Sequence, residues 1–109
     1  MYTYKAIVTN VVDGDTIDVK IDLGFRMYTV QRIRLQGIDT PERGQPGYQE
    51  AKDRVIELVL NKEVMLLTSK ASKFGYYLGM ILIQDTNVFV NNILLEENLA
   101  KPYDGGTKV

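Results

Sequence analysis

The sequence predicts a small α+β domain, mainly β: a five-stranded OB-type Greek-key barrel with one helix between strands 3 and 4 and a second near the C-terminus. Three observations carry this reading. Residues 17–23, Ile-Asp-Val-Lys-Ile-Asp-Leu, alternate apolar and polar side chains, the period of a half-buried strand. Ala51, Val55, Leu58 and Val59 recur at helical spacing, with Lys52, Asp53, Arg54 and Glu57 on the other faces. The order of the runs is three strands, helix, two strands, helix. A chain of 109 residues suits one domain over 1–109 around a single core.

Residues 2–12 alternate loosely and end in Val11-Val12, a first strand. Asp13-Gly14 signals a turn, and residues 17–23 form the second strand. Asp15 shares the parity of Ile17, Val19 and Ile21. If the strand reaches back to it, Asp15 points inward at the mouth of the core, where a lone carboxylate is costly. If the strand begins at Thr16, Asp15 is an ordinary turn residue; the alternation leaves both open. Gly24 turns the chain into residues 25–36, where Tyr28-Thr29-Val30 is out of phase with Ile33 and Leu35. That mismatch predicts a bulge near Gln31. Residues 43–47 are polar and glycine-rich, a loop. A helix is expected over 48–61, a strand over 64–69, a cationic turn over 70–75 and a central strand over 76–83. Asp85-Thr86-Asn87 leads into a short Val88–Val90 run. The second helix covers about 91–99, with Leu94, Leu95 and Leu99 inward and Asn98 as a left-handed C-cap. Pro102 stops it, and about 101–109 reads as a tail.

Composition excludes several chemistries. There is no Cys, so disulfides and thiolate catalysis are out, and no His, so acid–base work near neutral pH falls to carboxylate, Lys, Tyr or metal-bound water. A metal would sit among oxygens and be hard, Ca²⁺ or Mg²⁺. The net charge of −1 argues against a general polyanion binder but allows a local basic patch. No apolar run approaches the ~20 residues of a membrane span. The N-terminus reads as a strand without a signal peptide, so cytoplasmic residence is the expectation; a monomer is expected as well.

The stretch Arg32–Glu42 concentrates the chemistry. Arg32 and Arg34 share a strand face opposite Ile33 and Leu35, and the chain then emerges as Asp39-Thr40-Pro41-Glu42. Opposite charges packed this closely suggest Asp39 holding a metal, Glu42 handling a water and Arg34 holding a phosphate.

Four segments are similar to one known family. They are Val11-Val12-Asp13-Gly14-Asp15-Thr16, Arg32–Glu42, Lys73-Phe74-Gly75-Tyr76-Tyr77-Leu78-Gly79, and Val90-Asn91 through Pro102-Tyr103-Asp104-Gly105-Gly106. Together they resemble the staphylococcal-nuclease-like (thermonuclease) domain, in its small intracellular bacterial or phage form. The resemblance implies a calcium-dependent phosphodiesterase acting on DNA or RNA, preferably single-stranded. In that scheme Asp15 and Asp39 ligate Ca²⁺ through carboxylates and Thr40 through its backbone carbonyl, with Asp13 acting through water. Arg34 grips the scissile phosphate, and Glu42 orients or deprotonates the attacking water. Lys70, Lys73 and Tyr103 are weaker candidates for substrate contact, each as readily explained as solvated turn lysines or a tail-anchoring tyrosine.

One departure matters most. The family places a second catalytic arginine after its Tyr/Phe-Gly, and here that position is Tyr76. Its loss would cost roughly 10²–10⁵ in rate unless Lys70, Lys73 or Arg43 reaches in. Ser72, where the family has an acid, is a milder departure. Two functions therefore stand side by side: a slow Ca²⁺-dependent nuclease, and a catalytically silent barrel that binds nucleic acid or a protein partner.

Overall fold

The first strand, β1 (Tyr2–Asp13), is long enough to pair twice. Its first half runs antiparallel to β5 (Glu63–Ala71) and its second half to β2 (Thr16–Asp22). Irregularities between Val8 and Asn10 and between Val11 and Asp13 bend it from one partner to the other. β2 continues into β3 (Tyr28–Leu35) through a turn whose central residues, Phe25 and Arg26, both have positive φ. The two-residue β4 (Ile38–Asp39) follows, then helix α1 (Tyr48–Val59), β5, β6 (Tyr77–Ile83), helix α2 (Val90–Glu96) and a two-residue β7 (Lys101–Pro102). A parallel contact of Ile33–Leu35 with Tyr77–Gly79 closes the barrel in the order β1-β2-β3-β6-β5. The computed structural model describes residues 2–71 and 76–103, and at 69–71 the backbone alone. Among the described residues no helix is long and apolar enough to cross a membrane.

The core is the inward row of each strand: Val8, Ile17, Val19, Ile33, Leu35, Leu66 and Ile81. The helices cap it with Val55 and Val59 from α1 and Leu94 from α2. Gly79 lets β6 sit this deep, because a Cβ there would lie 2.6 Å from Leu66 Cδ1. Asn91 pins α2: its Oδ1 accepts from the Ile81 N–H at 3.1 Å, and its Nδ2 donates to the carbonyls of Gln36 (2.8 Å) and Gly79 (3.3 Å).

Several expectations need correction. The bulge near Gln31 is absent, since β2 and β3 stay in register from Thr16–Arg34 to Asp22–Tyr28. Tyr28 and Val30, 55% and 63% exposed, simply lie on the barrel's exterior, so their apolar character says nothing about strand phase. Residues 88–90 contribute one bridge, Leu82 to Phe89, and then α2 begins at Val90. That helix ends at Glu96, earlier than expected, although Asn98 does take a left-handed φ of 59°. β5 extends through Ala71, which puts Lys70 in a strand and not in a turn. Lys101–Tyr103, expected within the tail, is tied down: Lys101–Pro102 pairs with Ile38–Asp39, and the Tyr103 N–H donates to the Gly37 carbonyl at 2.9 Å.

Candidate active site

The end of β1, the start of β2 and the end of β3 meet where Thr16 pairs with Arg34. Gly14 and Asp15 are the two residues of the connecting turn. The strand begins only at Thr16 and Asp15 belongs to the turn, as one reading has it, yet Asp15 is 9% exposed, buried as the other has it. Its charge is well compensated there. Oδ2 accepts from the Thr40 N–H at 3.1 Å and lies 3.2 Å from Arg34 Nη1. Oδ1 accepts from the Thr16 hydroxyl at 3.0 Å. The Leu35 N–H donates to the Asp15 carbonyl at 2.7 Å, locking the turn onto β3.

Arg34 bridges the two carboxylates. Nη1 faces Asp15, while Nη2 donates to Asp39 Oδ1 at 3.3 Å. Its guanidinium carbon also stands 5.7 Å from the ring centroid of Tyr103, a cation–π distance. The three side chains, two carboxylates and one guanidinium, sum to one net negative charge. Thr40 is buried, and its Oγ1 has no hydrogen-bond partner among the described residues. Such an orphan beside an acidic pair fits a site made to receive something more.

Beyond this cluster the chain forms a cleft of about 410 Å³, lined by residues 39–42, Gln45, Pro46 and residues 98–101. Glu42 is exposed on its wall, and its own N–H donates to Gln45 Oε1 at 3.1 Å, which holds the loop. A second cavity of about 310 Å³ opens at the other end of β1, β2 and β3. Its lining, including Tyr2, Tyr4, Leu23 and Tyr77, has no charged side chain and so no cation to attract a phosphate.

The structure thus brings Asp15, Asp39, Thr40 and Arg34 into direct contact, with Tyr103 against Arg34 and Glu42 on the adjoining wall. Asp13 is engaged differently: its Oδ1 accepts from the Tyr48 hydroxyl at 2.8 Å, tying the turn to the first residue of α1. Tyr48 was not singled out in the sequence, where it reads as one more helix residue. Arg43 stacks toward the Tyr48 ring, 6.0 Å away. Lys73 and Ser72 lie outside the described residues, as does the side chain of Lys70.

Arg32, which the sequence marks only as part of a cationic strand face, has a partner of its own. Its Nε donates to Asp18 Oδ1 at 2.8 Å and its Nη2 to Asp18 Oδ2 at 3.3 Å. That pairing, chiefly the hydrogen bond from Arg32, holds the Asp18 carboxyl below the usual carboxylate range. Arg32 also hydrogen-bonds Tyr76, and both partners raise its pKa further, so it is a permanent cation.

For a metal, the donor chemistry fits a hard cation. Every available group is an oxygen, and among the described residues no three acidic side chains converge. Asp15 and Asp39 would supply two carboxylates, leaving a backbone carbonyl, water and substrate to fill a shell of ~6–8 oxygens.

Comparison with known proteins agrees with this geometry. Residues 32–108 match the family described as "Staphylococcal nuclease homologue". The chain is 31% identical to a micrococcal nuclease of Shigella flexneri over 92% of its own length, and 31% identical to an uncharacterized endonuclease of Escherichia coli O157:H7 over 89%. A staphylococcal-like nuclease of Arabidopsis thaliana is 33% identical over 73% of the chain. These matches span 59%, 60% and 27% of the three relatives, so each relative is longer than the part compared. With most of its length inside the matched region and the barrel in place, the chain belongs to the staphylococcal nuclease homologue family.

Proposed function

We propose that this chain is a calcium-dependent nuclease that hydrolyses phosphodiester bonds of DNA or RNA, preferably single-stranded, by attack of water, with turnover lowered by Tyr76. The observation that supports it best is Arg34 bridging Asp15 and Asp39 at the rim of a cleft that also carries Glu42.

The chemistry follows from charge. A phosphodiester repels an incoming hydroxide, so cleavage needs positive charge on the phosphate and a base for the water. Calcium, held by Asp15, Asp39 and the Thr40 carbonyl, would supply the first of these charges. Arg34 supplies the second, presenting a planar guanidinium that matches two phosphate oxygens. Glu42, the exposed carboxylate of the cleft wall, accepts the proton of the attacking water. Asp13, anchored by Tyr48, keeps the turn bearing Asp15 in place. At position 76 the phenol carries no charge to meet the transition state. The loss of an arginine there is worth roughly 3–6 kcal/mol.

Tyr76 also favours a second reading, a nucleic-acid- or protein-binding barrel without turnover. One experiment separates the two: digestion of single-stranded DNA with calcium and with EDTA, for the native chain, Arg34→Ala and Tyr76→Arg. Calcium-dependent cleavage, lost in Arg34→Ala and raised by at least 100-fold in Tyr76→Arg, supports the nuclease. Absence of cleavage by every protein, the arginine variant included, overturns it in favour of the binding module.

A further inference from the structure

Arg32 and Arg34 point to the same exterior face of β3, two residues apart, so their stems leave the strand ~6.6 Å from one another. That is the scale of successive phosphates on an extended nucleic-acid strand. The parallel register of Ile33 with Tyr77 sets Tyr76 beside Arg32, and the two side chains are hydrogen-bonded. Arg32 therefore brings a guanidinium to the place where the family resemblance implies an arginine and this chain has Tyr76. Its side chain is 44% exposed, whereas that of Asp18 is only 19% exposed. Asp18 engages Nε and Nη2 and leaves Nη1 outside the pair. Asn10 Nδ2 donates to Asp18 Oδ2 at 3.3 Å and steadies the carboxylate in turn. A buried-side carboxylate that orients an exposed guanidinium is the arrangement of a prepared anion contact, since little rotamer entropy remains to be lost when the anion arrives.

We propose that Arg32 is a second phosphate-binding residue, gripping the phosphate next to the one held by Arg34, with Asp18 as its positioning residue. This rests on the nuclease reading only for the identity of the ligand, a nucleic-acid backbone. It takes over the binding share of the absent arginine and leaves the transition-state share unfilled, because half of its fork is committed to Asp18.

The test measures binding without turnover. A fluorescent single-stranded oligonucleotide is titrated in calcium, every protein carrying Glu42→Gln to stop turnover, with the otherwise native chain, Arg32→Ala, Arg32→Lys, Arg34→Ala and Arg32→Ala/Tyr76→Arg, at several salt concentrations. Arg32→Ala is expected to weaken binding about tenfold at low salt and to reduce the salt slope by ~0.7, one phosphate contact on a single strand. Arg32→Lys keeps the slope, and Tyr76→Arg restores it in the Arg32→Ala background. Loss of the Asp18 pair alone would lower the melting temperature and leave the salt slope where it was. An unchanged slope in Arg32→Ala, with a reduced one in Arg34→Ala, overturns the proposal while the nuclease reading stands. An Arg32-dependent slope in a chain that never cleaves upholds it while the nuclease reading falls. No binding by the native chain at any salt concentration overturns it as well.

Discussion

Gly14 does not need a glycine's conformational range; it needs a glycine's size. A Cβ at this position would lie 2.8 Å from the Cβ of Ala51 and 3.1 Å from both Cγ2 and Oγ1 of Thr40. Neither neighbour can step aside cheaply. Ala51 is fully buried, and its Cβ is fixed to the α1 backbone. Thr40 is buried and donates its N–H to Asp15. Gly14→Ala must therefore push α1 off the turn or pull the turn off Thr40. Overpacking of this kind costs about 1–3 kcal/mol, and at about 4–8 °C per kcal/mol for a domain near this size the melting temperature should fall by about 10 °C. Ala51→Gly removes the shorter contact but costs about 1 kcal/mol as a glycine inside a helix. Combined, the two changes should cost about 1 kcal/mol less than the sum of their separate costs. Melting curves by circular dichroism on the four proteins give the coupling directly. A loss under 2 °C in Gly14→Ala, or strict additivity in the double variant, would refute the close-approach argument.

Asn91→Ala leaves the Ile81 N–H and the Gln36 carbonyl without their partner, and urea unfolding should show a loss of about 2–4 kcal/mol. Calcium together with a nucleoside bisphosphate should raise the melting temperature. At 100 times the dissociation constant the gain is about 2.7 kcal/mol, and Asp15→Asn should abolish it in the same scan. Asp18, whose pKa is lowered in the fold by Arg32, contributes stability that is complete above its unfolded value near ~4 and is lost as pH falls through the lower folded value. The gap in urea midpoint between the native chain and Asp18→Asn should therefore narrow below about pH 4; a gap that widens on acidification contradicts the assignment.

Much of the fold was legible because alternation reports a buried face directly. Ile17, Val19 and Ile21 are all buried, and so are Ala51, Val55 and Val59 of the helix. At β3 the pattern misleads because apolar there does not mean inward: Tyr28 and Val30 face the outside. The real irregularities lie in β1, which changes partners midway, and in β5 between Thr68 and Ala71, and a change of partner leaves no local period. β4 and β7, two residues each, are too short to show one. For the candidate site, the resemblance named Asp15, Arg34, Asp39 and Thr40, which the structure brings into contact, while the side chains that brace this cluster left no local signal. Tyr48 reaches Asp13 across 35 positions, and Arg32 meets Asp18 across 14. Contacts at such separations are set by the register of strands and the docking of a helix, which no local pattern encodes.

The bridging of Asp15 and Asp39 by Arg34 has a consequence for how the proposed site would fill. In the structure both guanidinium ends are spent on carboxylates. A divalent cation drawing on the same two carboxylates competes with Arg34 for their charge. It also reverses the summed charge of Asp15, Asp39 and Arg34, from one net negative to one net positive. Arg34 is thereby freed for a phosphate at the moment when the phosphate is attracted. Each ligand then improves the affinity of the other by the same factor, as linkage requires, and neither alone binds well. A thermal shift therefore needs calcium and nucleotide together: calcium by itself meets an arginine already in its place, and nucleotide by itself meets two carboxylates that repel it.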